Sequence, residues 1–168
     1  YVSAAHGAPF PPRGLNDFEI GARIDAVAGA DESGPGIRRT AIGWTGAGSV
    51  PAKGTGNSVS FVLDSFSQLH WRWKTEFRFA ATNGPGGRVV GPAEGWLREG
   101  TSVVVAAQSD PGYVFVGWTG DVQSQQPVLN LVMDRPFDLT ANFEEDRDAD
   151  GQADAWERTY WGSLQPAA

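Results

Sequence analysis

Apolar and polar residues alternate with period two through much of this chain. In Trp71–Phe79 one face carries Trp71, Trp73, Phe77 and Phe79, and the other carries Arg72, Lys74, Glu76 and Arg78. That is the pattern of a half-buried strand. Phe137 to Phe143 alternates in the same way. Glycine, proline, asparagine and aspartate bound such runs at short intervals, and no useful helical period appears before residue 154, so the pattern predicts an all-β fold with tight turns. Residues 154–161 are the exception and predict a short helix stopped at Gly162.

The strand pattern occurs twice. Ala41-Ile42-Gly43-Trp44-Thr45-Gly46 matches Phe115-Val116-Gly117-Trp118-Thr119-Gly120. Upstream, Gly21 to Ala26 pairs with Gly100 to Val105, each a glycine turn opening a strand; downstream, Leu63 to Trp73 aligns without a gap on Met133 to Phe143. Two copies of one β-rich unit therefore fill residues 1 to roughly 145. Alternation runs unbroken across the junction, which predicts one long strand shared by both units and a semi-rigid rod.

The glycine-turn strand, Asp110 to Asp121 (DPGYVFVGWTGD) and Met133 to Glu144 (MDRPFDLTANFE) resemble the divergent InlB B-repeat modules of bacterial surface proteins. The resemblance covers residues 75–145; the first copy is a variant, with a loop after Trp44 four residues longer and rich in glycine. It implies β-grasp-like repeats in tandem, secretion or display at a cell surface, and a stalk or spacer role without activity of its own. The expected domains are repeat 1 over 1–74, repeat 2 over 75–145 and a calcium segment over 146–168.

Charge adds that last segment. The net charge is -7, yet Glu144 to Glu157 alone holds seven acidic groups against Arg147 and leaves the remainder nearly neutral. With no basic stripe to displace counterions from phosphates, nucleic-acid binding is not expected. The acidic groups fall at Asp146, Asp148, Asp150, Asp154 and Glu157, positions 1, 3, 5, 9 and 12 of a loop with Gly151 at position 6. Ca²⁺ takes six to eight oxygens, and this spacing supplies them, with the Gln152 backbone carbonyl at position 7 and a bidentate Glu157. A strand, not a helix, precedes the loop, so a structural rather than a sensor role is expected. The arrangement resembles the calcium loops of dockerins and type 3 thrombospondin repeats, here in a single copy.

Other chemistry is sparse. His6 and His70 are the only histidines and form no ligand pair, cysteine is absent, and the glycine clusters at Gly54–Gly56 and Gly84–Gly87 lack the lysine and helix of a phosphate loop. Asp64 and Asp134 occupy equivalent turn positions and are expected to cap backbone amides. Of seven tryptophans, Trp44 and Trp118 recur in both copies and are expected in the core, whereas Trp71 and Trp96 are the candidates for exposed platforms that stack on sugar rings. Trp156 and Trp161 are expected to pin the final helix to the strands.

The chain is therefore expected to be a non-enzymatic extracellular module of a bacterial cell-surface or secreted assembly, rigidified by Ca²⁺. The alternative is a carbohydrate-binding or adhesion module. No apolar run reaches the roughly 18 residues of a membrane span. The chain begins at Tyr1 rather than methionine, which reads as a processed chain or a fragment. Neighbouring domains or further copies are the expected partners, and a terminal strand added to an open sheet edge would make the chain a fibre subunit.

Overall fold

The computed structural model describes residues 1–162. Residues 163–168, and with them any C-terminal strand that the expectation of self-association would use, lie outside the described residues. Among the described residues the fold is all-β apart from one short helix, and the chain divides into two compact units, Tyr1–Glu76 and Phe77–Ala168.

The first unit contains β1 (Val2–Ala4), β2 (Arg23–Val27), β3 (Glu32–Gly34), β4 (Ile37–Ala47), β5 (Lys53–Thr55), β6 (Ser58–Val62) and the first half of β7 (Gln68–Asn83). β2 and β6 form an antiparallel pair, and β1 runs parallel to β7. β4 lies beside β7 and takes β3 and β5 as antiparallel partners. Inward positions alternate as the period requires, so Ile24 and Ala26 from β2, Val59 from β6, and Leu69 and Trp71 from β7 meet Trp44 and Val50 in one core.

The second unit contains the rest of β7, then β8 (Gly87–Val90), β9 (Glu94–Arg98), β10 (Ser102–Ser109), β11 (Tyr113–Gly120), β12 (Val128–Val132), β13 (Phe137–Glu145) and α1 (Asp154–Tyr160). β12, β10 and β8 make a three-stranded antiparallel sheet, while β13 pairs with β11 antiparallel and with β7 parallel. Val103, Val105, Trp118, Leu129, Leu139 and Phe143 are buried between these strands.

The pairing registers of the two units coincide. Adding 79 to the residue numbers of β2 and 70 to those of β6 converts Arg23↔Val62, Ile24↔Phe61 and Ala26↔Val59 into Ser102↔Val132, Val103↔Leu131 and Val105↔Leu129, all of which are observed. The same shifts turn the parallel pairs Val2↔Leu69, Ser3↔His70 and Ala4↔Trp71 into Ala81↔Leu139, Thr82↔Thr140 and Asn83↔Ala141. Even the side chains correspond: Ser3 bonds His70 at 2.8 Å where Thr82 meets Thr140 at 3.2 Å. Gly43 and Gly117 share a backbone that side chains rarely adopt, with φ of 146° and 152°.

Two expectations about tryptophan are corrected. Trp71 is only 1% exposed, so it is no surface platform. Its equivalent is Ala141, which argued against room for an indole, but the four extra residues after Trp44 build β5 and bring Gly54 opposite Trp44. A methyl group on Gly54 would overlap the Trp44 indole, so that glycine supplies space for the aromatic pair. Trp156 and Trp161 do not pin the helix to the strands. They are 43% and 49% exposed and meet each other edge-on, with ring centroids 5.0 Å apart.

The Asp64 turn also differs in detail. The capping oxygen belongs to Ser49, whose Oγ accepts the backbone N–H groups of Asp64 and Ser65 at 2.9 and 3.2 Å, while Asp64 accepts the Ser49 and Ser65 hydroxyls. Those hydroxyl bonds, Ser49 first, hold the Asp64 carboxyl below its ordinary value.

Candidate metal centre

β13 ends at Glu145, and the chain turns directly into the acidic segment. The Asp146 N–H donates to Gly112 O at 2.9 Å, which ties the first loop residue to the β10–β11 turn. Asp146 Oδ2 then accepts the Gly151 N–H at 3.1 Å, and Asp150 Oδ1 accepts the Gln152 N–H at 2.8 Å. These bonds curl the loop. Gly151 sits at φ 90°, the region where a β-carbon would strain the backbone, as expected for the sixth position. The chain then enters α1 through Ala153, which makes no side-chain cap.

α1 is inverted relative to an ordinary surface helix. Its buried residues are Asp154 and Glu157, 1% and 0% exposed, while Trp156 and Tyr160 face outward with their ring centroids 4.8 Å apart. A helix normally buries its apolar stripe. Here the inward face is carboxylate, and carboxylates are rarely buried unless paired or bound to a cation.

The acidic groups converge. Ligand oxygens of Asp146, Asp148 and Asp150 lie within 4.8 Å of one another, and so do those of Asp148, Asp154 and Glu157. Asp148 belongs to both sets and stands at the centre. Asp146 is 6% exposed, yet its Oδ1 has no hydrogen-bond partner, and neither oxygen of Asp148 has one at ordinary geometry. Desolvation, then the charges of Asp150 and Asp146, push the Asp148 carboxyl above its usual range. Converging, buried oxygens of Asp146 and Asp148 without donors are what a hard cation would satisfy, and the all-oxygen donor set suits Ca²⁺ or Mg²⁺ rather than a soft metal.

Gln152 directs its side-chain amide to Asp150 Oδ2 at 3.2 Å, which leaves its backbone carbonyl as the group it could offer an ion. Trp96 lies on β9 and is 38% exposed, in the second unit and apart in sequence from the acidic loop. Arg147 and Arg158, which sequence reasoning passed over, both reach Asp154. The four-residue spacing of Asp154 and Arg158 on a helix was the signal that could have found the second of them.

Residues 77–147 match the family model for the divergent InlB B-repeat domain, which supports one such repeat in this chain. The match stops at the second residue of the acidic loop and leaves the first unit outside it. No curated protein and no solved structure is matched. Among the described residues no helix is long and apolar enough to cross a membrane.

Proposed function

We propose that this chain is a non-enzymatic structural module of a bacterial surface or secreted assembly, built from two copies of the B-repeat and closed by a Ca²⁺ clamp. The matched repeat belongs to a family typical of bacterial surface proteins. The variant first copy is supported by the coincident strand registers of the two units.

The observation that carries the metal reading is the unpartnered Oδ1 of buried Asp146 beside the two unpartnered oxygens of Asp148. Asp146, Asp148, Asp150, the Gln152 carbonyl and Glu157 would hold the ion, with Asp154 alongside. Bound calcium would neutralise the inward face of α1 and order the segment that follows β13. In chelator, limited proteolysis should cut within 146–160 and leave the strands intact, and added calcium should suppress that cut. Equal cutting with and without calcium would remove the clamp from the account.

A second reading, glycan binding, is favoured by the exposure of Trp96 alone. It predicts that insoluble polysaccharide retains the chain and that Trp96→Ala abolishes retention while the fold persists. Self-association is supported by open edges: among the described residues β12 pairs only with β10, and β6 only with β2. Strand addition at such an edge would produce filaments visible by electron microscopy, and monodisperse monomers at high concentration would exclude it.

A further inference from the structure

We propose that Asp154 is a positioning residue, and that Arg147 and Arg158 preorganise the acidic loop for its ion even though both are cations beside a cation site. The inference rests on the metal reading above and specifies what regulates that site. Both oxygens of the Asp154 carboxylate have protein donors. Its Oδ1 accepts the Arg147 backbone N–H at 2.8 Å, and its Oδ2 accepts Arg158 Nη2 at 3.1 Å with Arg147 Nε at 3.6 Å. Arg147 also donates through Nη2 to Glu145 Oε2 at 2.6 Å, on the last residue of β13.

A continuous chain therefore runs from Glu145 on the strand, through Arg147 at the second loop position, to Asp154 and then Arg158 on α1. It spans both ends of the loop. Asp146 Oδ1 and the two Asp148 oxygens have no such donors. The division is consistent: the Asp154 carboxylate is held by protein cations, and Asp148, within 4.8 Å of it, keeps its lone pairs for an ion. Ligand oxygens this close repel one another, and a loop free to relax would spread them. By linking Glu145 on the strand, the loop and Asp154 on the helix, the arginines hold the cluster closed before the ion arrives. The ion then meets a site whose ordering cost is already met.

The test turns on a sign. Coulomb's law alone says that removing a cation beside an anionic site tightens cation binding. Preorganisation says that it weakens it, in the way that loss of outer-shell partners costs roughly 10–100-fold in metal affinity elsewhere. Tryptophan-sensitised terbium luminescence, titrated into the chelator-stripped full chain and reversed by Ca²⁺, reads the affinity directly. Arg158→Ala and Arg147→Ala should each weaken Tb³⁺ binding about tenfold or more, and Arg158→Lys, which keeps a charged donor, should recover much of it. Both arginines are more than half or nearly half exposed, at 59% and 49%, so neither replacement empties a core, and an unchanged far-ultraviolet circular dichroism spectrum confirms the fold. Unchanged or tighter Tb³⁺ binding in the alanine variants overturns the positioning role while leaving the metal site in place. Absence of saturable Tb³⁺ binding in the parent chain overturns the metal reading and the positioning role with it.

Discussion

Trp44 meets Trp71 edge-on in the core of the first unit, with ring centroids 5.9 Å apart and planes at 72°. The second unit fills the equivalent space differently. Trp118 pairs there with Ala141, and Phe115 supplies the aromatic bulk, 6.0 Å from Trp118 and 5.8 Å from Phe143. The first-unit equivalent of Phe115 is the buried Ala41. Between the copies, large and small residues have thus exchanged places, Ala41 with Trp71 against Phe115 with Ala141, a swap that keeps the filled volume roughly constant.

That exchange predicts a rescue. Trp71→Ala should destabilise the first unit by about 3–5 kcal/mol, the usual range for emptying a large aromatic site. Ala41→Phe in the same chain should return a measurable part of that loss, because it installs the packing of the second unit. Urea denaturation followed by tryptophan fluorescence measures both. A double variant no more stable than Trp71→Ala would show that the two cores are not interchangeable.

Gly54 has no room for a side chain. It pairs with Trp44 across β4 and β5, and the indole occupies the place of its absent β-carbon. Gly54→Ala should cost about 1–3 kcal/mol through overpacking. The smaller ring of Trp44→Phe should relieve part of that cost, giving a non-additive double-mutant cycle. Strict additivity would mean that the contact is not what constrains residue 54.

Glu76 links stability to pH. It accepts Arg38 Nε at 2.8 Å and Lys74 Nζ at 3.0 Å, and the Arg38 bond is the main cause of a carboxyl held below its ordinary 4.5. A depressed folded-state value means the stabilisation is present above the unfolded-state value and is lost as pH falls through the folded-state value. Glu76→Gln should therefore destabilise the protein at pH 7, by on the order of 1 kcal/mol given the solvent around Arg38. The gap from the parent should begin to close below about pH 4.5 and shrink further with acidity. Melting curves at pH 7 and pH 3 test this; a gap of the same size at both would assign the effect to packing.

Much of this architecture was legible in the chain. The period-two runs anticipated β13 and the continuous β7, and the doubled glycine and tryptophan motifs anticipated paired registers that the structure reproduces residue by residue. What escaped was non-local. β1 is three residues long and pairs in parallel with a strand beginning at Gln68, so no local pattern announces it. Trp71 has alanine as its counterpart in the second unit, and only the β5 insertion, seen in three dimensions, makes its space. The outward aromatics of α1 reverse the usual helix rule, because Asp154 and Glu157 already occupy its inner face. In the acidic loop, spacing brought the carboxylates to notice but not the arginines that hold one of them.

Removal of metal should leave the strands folded and lower the stability of the C-terminal segment. With dissociation constants of about 10⁻⁴ to 10⁻³ M, typical of extracellular calcium modules, millimolar calcium adds only about 0.4–1.4 kcal/mol, so melting shifts will be small. Binding itself is the sharper readout. Isothermal titration of Ca²⁺ into the chelator-stripped full chain should show one ion per chain, and Asp148→Asn, which alters the carboxylate shared by both oxygen clusters, should abolish it with the strand signal in circular dichroism unchanged. No saturable binding by the parent chain, or undiminished binding by Asp148→Asn, would contradict the metal clamp at the centre of this account.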